Sequence, residues 1–89
     1  MRRPDTPSVL GTKANTAHLI SLGLTRREAE VLTWVARGKT NYEIAIILGA
    51  ASGTIRKHVE HILGKLQVEN RTAAAGIAFA TLSQVADFF

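Results

Sequence analysis

The sequence predicts an all-α fold, and three observations carry the prediction. Apolar residues recur at helical spacing in several separated stretches. Two stretches open with a Thr-x-x-Glu box, Thr25 to Glu28 and Thr40 to Glu43. In such a box the side chains and backbone N–H groups at a helix start exchange hydrogen bonds. Finally, Ala45, Gly49 and Ile55 follow one another at the spacing of a helix-turn-helix. The small residue lets two crossing helices approach, the glycine accepts a positive φ at a helix end, and the β-branched residue fills the angle.

The 89 residues allow one domain with a modest core, so each apolar stripe counts. A hydrophobic content of 46% with 20% charged residues argues against disorder beyond the opening residues. Without cysteine the chain has neither disulfides nor thiolate metal sites. No apolar run approaches the ~20 residues that cross a bilayer, and MRRPDTPSVLG lacks the apolar stretch of a secretion signal. A soluble, cytoplasmic protein without membrane contact is the expectation. The net charge of +4 and pI near 10.1 favour an anionic partner, as a mild excess only.

Taken in order, residues 1–14 carry Arg2, Arg3, Pro4, Pro7 and Gly11 with no periodicity, and read as a flexible basic arm or linker remnant. Residues 15–89 read as the domain. Asn15 to Leu22 allow a short helix that Asn15 caps and Gly23 ends, with Leu19, Ile20 and Leu22 apolar. Thr25 starts the next helix, whose stripe is Ala29, Leu32, Val35 and Ala36 and whose stop is Gly38. Trp34 lies off that stripe and is expected across the edge of the core. Thr40 starts a helix over Asn41–Leu48 with Ile44, Ala45, Ile47 and Leu48 inward.

The turn Gly49-Ala50-Ala51 leads to a helix capped by Ser52 or Thr54 and running to Leu66. Its stripe is Ile55, Val59, Ile62, Leu63 and Leu66, which leaves Arg56, Lys57, Glu60 and Lys65 toward solvent. Asn70 caps an alanine-rich helix over Arg71–Leu82. Beyond it Val85, Ala86 and Phe89 continue the apolar spacing, a helical tail that either covers its own core or joins a second copy.

The residues give little ground for an enzyme. His58 and His61 can share a helix face, but a metal site needs a third ligand with its own spacing. Phosphate loop, nucleophile elbow and cysteine are all missing, so neither cofactor nor metal nor small-molecule ligand is expected. Nucleic acid fits better. A helix of about fourteen residues is roughly 21 Å long and suits the ~12 Å major groove of B-DNA. Arg56 and Lys57 lie in its first half, where base edges are met, and its N-terminus with Thr54 suits a phosphate. The helix-turn-helix spacing favours this reading over plain solvation of a helix face.

Three segments, LTRREAEVL (Leu24–Leu32), GKTNYEIA (Gly38–Ala45) and TIRKHVEHILGKLQVENRTAA (Thr54–Ala74), resemble the LuxR-type helix-turn-helix domain. That domain is the output module of quorum-sensing regulators and NarL/FixJ-class response regulators. The resemblance spans a family core of residues 24–80. It implies a four-helix DNA-binding domain, here with an extra short N-terminal helix and the helical tail, acting as a sequence-specific transcriptional regulator on double-stranded DNA. The third family helix, about residues 53–66, would enter the major groove, and the fourth would contact a second copy on a two-fold operator.

By position, the resemblance implies base contacts from Arg56, Lys57 and Glu60. It implies phosphate contacts from Lys39, Thr40, Asn41, Thr54, His58 and Lys65, and a homodimer interface at Ala75, Ala78 and Leu82. Glu28, Glu30 and Trp34 match positions with structural roles, and RNA polymerase is a further candidate partner. Three residues depart from the pattern. Ala51 stands where a serine usually caps the reading helix, Glu60 where some members have lysine, and Gly64 where a basic residue is common. A receiver domain does not fit in the 23 residues before Leu24, which leaves a stand-alone regulator or an excised output domain. The alternative is a protein-interaction or dimerisation module on the same scaffold, binding through its alanine surfaces and Phe88–Phe89 without specific DNA recognition.

Overall fold

The computed structural model describes residues 16–83. The expected basic arm, the Asn15 cap and the helical tail after Ser83 lie outside that range. Within it the chain forms five helices and no strand among the described residues: α1 (described over residues 16–20), α2 (Arg26–Ala36), α3 (Asn41–Leu48), α4 (Ser52–Leu66) and α5 (Arg71–Leu82). The all-α, helix-turn-helix expectation holds.

Local sequence chemistry accounts for most helix ends. Thr25 and Thr40 each complete the capping box with Glu28 and Glu43, and the Asn70 side chain accepts from the Ala73 N–H at 2.8 Å. At their C-termini, α2, α3 and α4 share one device. A residue of positive φ follows the helix, Gly38 (83°), Gly49 (67°) and Gln67 (58°) respectively. The N–H after it then reaches back to a carbonyl five residues earlier, as in Ala50 N to Ala45 O at 2.9 Å and Val68 N to Leu63 O at 3.1 Å. Only the glycines among these stops were foreseeable, because Gln67 adopts a left-handed conformation that disfavours a Cβ.

The start of α4 differs from expectation. Neither Ser52 nor Thr54 caps it. Ala51 occupies the N-cap in an extended conformation (φ −82°, ψ 149°) with no side-chain hydrogen bond. The left-handed Gly49 completes the chain reversal so quickly that the helix has already begun at Ser52.

Helix α2 is the hub, packing against α3, α4 and α5, while α3 packs on α4 and α4 on α5. That explains why α2 buries more than its predicted stripe. Val31 and Thr33 are fully enclosed beside Ala29 and Leu32, and the Thr33 hydroxyl donates to the Ala29 carbonyl at 2.9 Å. Leu19 of α1, Ile44 of α3, Ile55 and Ile62 of α4, and Ala78 and Leu82 of α5 complete the core. Trp34 lies half-buried at the core edge, with the Arg37 guanidinium 5.5 Å over its ring.

Ile47 is a correction. Expected inside, it is 43% exposed. Ile44, Ala45 and Leu48 cluster on one side of α3 at a rotation of 100° per residue, and Ile47 falls roughly 100° from their centre. A two-turn helix with neighbours on one side has no second partner for it.

Candidate nucleic-acid interface

The helix-turn-helix is built as its spacing requires. Ala45 is 5% exposed at the crossing of α3 and α4, and Ile55 is fully buried between them. Anchoring Ile55 and Ile62 inward fixes the rotation of α4. Its opposite side then presents Ser52, Gly53, Thr54, Arg56, Lys57 and Glu60 to solvent, with His58 half-buried at the margin. The three side chains expected to read bases thus share one open face, and Thr54 stands in the first turn. Because no side chain caps that turn, its N–H groups can serve an outside anion.

Lys39, Thr40 and Asn41, expected beside the backbone of a duplex, form the approach to α3. The Thr40 hydroxyl accepts from the Glu43 N–H at 3.1 Å, and the Thr40 N–H donates to Glu43 Oε1 at 2.9 Å. That backbone N–H is the main reason Glu43 titrates below its ordinary 4.5. From α5, Arg71 reaches across to this approach. Nη1 donates to Asn41 Oδ1 at 2.5 Å and Nη2 to the Lys39 carbonyl at 2.6 Å. Sequence reading missed Arg71, since its partners are about thirty residues away and no local pattern announces them.

Lys65 is engaged elsewhere than expected. Its Nζ lies 2.7 Å from Oε1 of Glu28, whose side chain is only 5% exposed. Glu28 also accepts from the Thr25 N–H at 2.9 Å, and its Oε2 is 4.0 Å from His61 Nδ1. Burial pushes the Glu28 pKa up. The bonds from Lys65 and Thr25 outweigh that push and hold it below 4.5. Lys65 therefore braces α4 against the start of α2. Glu30 pairs on the surface with Arg27 at 3.0 Å.

On α5 the expected interface needs correction. Ala78 and Leu82 have no exposed surface, and Ala75 is half-buried. With Ala74 they make the i, i+4, i+8 row that fills the chain's own core against α2 and α4. The exposed row is instead Thr72, Ala73, Gly76, Phe79 and Ala80. No group of three His, Asp or Glu side chains able to hold a metal comes together among the described residues. No described helix is long and apolar enough to cross a membrane.

The profile of the bacterial regulatory proteins of the luxR family matches residues 22–78, which takes in α2, α3, α4 and most of α5. The chain belongs to the luxR family. This is a family of DNA-binding transcription regulators rather than enzymes, and the matched residues include the helix-turn-helix of α3 and α4. Curated relatives agree. The uncharacterized transcriptional regulatory protein YhcZ of Bacillus subtilis (strain 168) is 52% identical over 52 residues, covering 58% of this chain and 24% of the relative. Transcriptional activator protein SolR of Ralstonia solanacearum is 47% identical over 58 residues, 65% of this chain and 25% of its own length. Regulatory protein SdiA of Escherichia coli (strain K12) is 38% identical over 60 residues, 67% and 25% respectively. This LuxR-type chain spans about a quarter of the length of those relatives. No solved structure matches it significantly.

Proposed function

We propose that this LuxR-type domain binds duplex DNA sequence-specifically as a transcriptional regulator in the cytoplasm, with α4 in the major groove. One observation carries the reading. Arg56, Lys57 and Glu60 are exposed together on the side of α4 opposite its buried anchors Ile55 and Ile62. Arg56 suits guanine O6 and N7, Lys57 offers a less directional cation, and Glu60 accepts from cytosine N4. Thr54, His58, Lys39, Thr40 and Asn41 take phosphates around that face. Lys65 is left out of the phosphate set, because Glu28 already neutralises its charge.

The reading includes a homodimer on a two-fold site, its seam on the exposed row of α5. Gly76 supports this, since the space beyond its backbone is open to a closely approaching helix. RNA polymerase is the further partner that such a regulator engages.

Selection of duplexes from a random pool tests the reading. The enriched DNA should be two-fold symmetric, and Arg56→Ala should shrink the ratio of enriched to random affinity by about 5- to 150-fold, or 1–3 kcal/mol. An unchanged ratio would remove Arg56 as a reader, and enrichment of asymmetric sites would remove the dimer.

A further inference from the structure

The side-chain amide of Asn41 has two unlike ends, and only one of them can bind an anion. Arginine carries donors and no acceptor, so the end that faces Arg71 must be the oxygen. The Nδ2 end is thereby turned away from Arg71, and no acceptor takes its hydrogens among the described residues. We propose that Arg71 is a positioning residue for phosphate binding, holding the Asn41 amide with its Nδ2 hydrogens offered to the DNA backbone. The inference rests on the DNA-binding reading above.

Two features of the contact support it. The guanidinium spans two acceptors at once, Asn41 Oδ1 and the Lys39 carbonyl, so it fixes the approach to α3 on both sides of Thr40. Lysine, a point donor without a planar fork, does not reproduce that span. Both acceptors are neutral, and no carboxylate pairs with Arg71 among the described residues, so its charge also stays available to the local field. Without the fork, the amide can present either end, and its oxygen repels a phosphate.

Fluorescence anisotropy with a labelled random-sequence duplex tests this on wild type, Arg71→Lys, Asn41→Ala, the double variant and Asn41→Asp. Arg71→Lys keeps the charge. Each single variant should bind about 3- to 10-fold more weakly, and the double variant no more weakly than either, because both remove one contact. Asn41→Asp keeps an acceptor for Arg71 but has no hydrogens for a phosphate. Its melting temperature should hold within a few degrees while affinity falls about tenfold or more, the added charge contributing.

Wild-type-like binding by folded Arg71→Lys, or losses that multiply in the double variant, would overturn the inference. If Arg71→Lys does not fold, Asn41→Asp decides, and wild-type-like binding by that variant has the same meaning. A wild-type chain that shows no salt-dependent binding overturns the DNA reading itself, and the inference with it.

Discussion

Removing the Lys65 ammonium should loosen the seat of α4 on α2. The bond to Glu28 is short, 2.7 Å, with the carboxylate side chain 5% exposed and the lysine side chain 41% exposed. A buried hydrogen bond to a charged group contributes about 1.5–3 kcal/mol, and an exposed ion pair about 0–1. The lysine's exposure places this pair between the two ranges, near 1 kcal/mol. Lys65→Met keeps most of the stem and removes the charge. A domain of this size loses about 4–8 °C in melting temperature per kcal/mol.

Thermal unfolding followed by far-UV circular dichroism should therefore show a drop of about 4–8 °C at pH 7. A double-mutant cycle with Glu28→Gln should return a coupling of about 1 kcal/mol. The sign of the pH effect follows from Glu28, whose pKa in the folded chain lies below its ordinary 4.5. Its contribution is complete above the unfolded value and is lost as pH falls through the folded one. The gap between wild type and Lys65→Met should accordingly narrow below about pH 4. A coupling under about 0.3 kcal/mol, or a gap unchanged at pH 3, would refute the brace. A salt dependence of DNA binding that flattens by about one unit in Lys65→Met would return Lys65 to a phosphate.

Two further substitutions probe α4. Ala51→Ser should supply the absent cap to the Ser52 turn and stabilise the fold by about 1 kcal/mol, read as a higher denaturant midpoint; an unmoved midpoint would mean the serine cannot reach the turn. Gly64→Ala should stabilise by a similar amount, about 1 kcal/mol, because an added Cβ meets open space and the helix gains an intrinsically better residue. A loss of stability in that variant would reveal a neighbour at Gly64 and contradict the open surface.

What the sequence could disclose was what is written locally. Capping boxes, glycine stops and the α4 stripe each lie within one or two turns of chain, and α2, α3 and α5 stand where their signals put them, while α4 begins ahead of its expected cap. The misses share a different character. The Glu28–Lys65 and Asn41–Arg71 contacts join residues 37 and 30 positions apart, with no periodicity to link them. Helix α5, with small or apolar residues on every side, offers no contrast between inward and outward, so Ala78 and Leu82 could not be told from Ala73 and Gly76. At Gln67 the back-bond of Val68 to Leu63 overrules a poor intrinsic preference. The exposed face of α4 was legible because the buried Ile55 and Ile62 define its reverse.

The backbone bonds that close the turn at Gly49 have a further consequence for how DNA would be met. They tie Ala50 to Ala45 and Gly49 to Ile46 within the chain itself. The angle between α3 and α4 is therefore set by bonds within the chain. Docking then resembles a rigid body seeking a groove, with little ordering cost and an association rate governed by charge steering. Its calorimetric mark would be a heat-capacity change no larger than the contact area requires, without the excess that accompanies folding on the duplex.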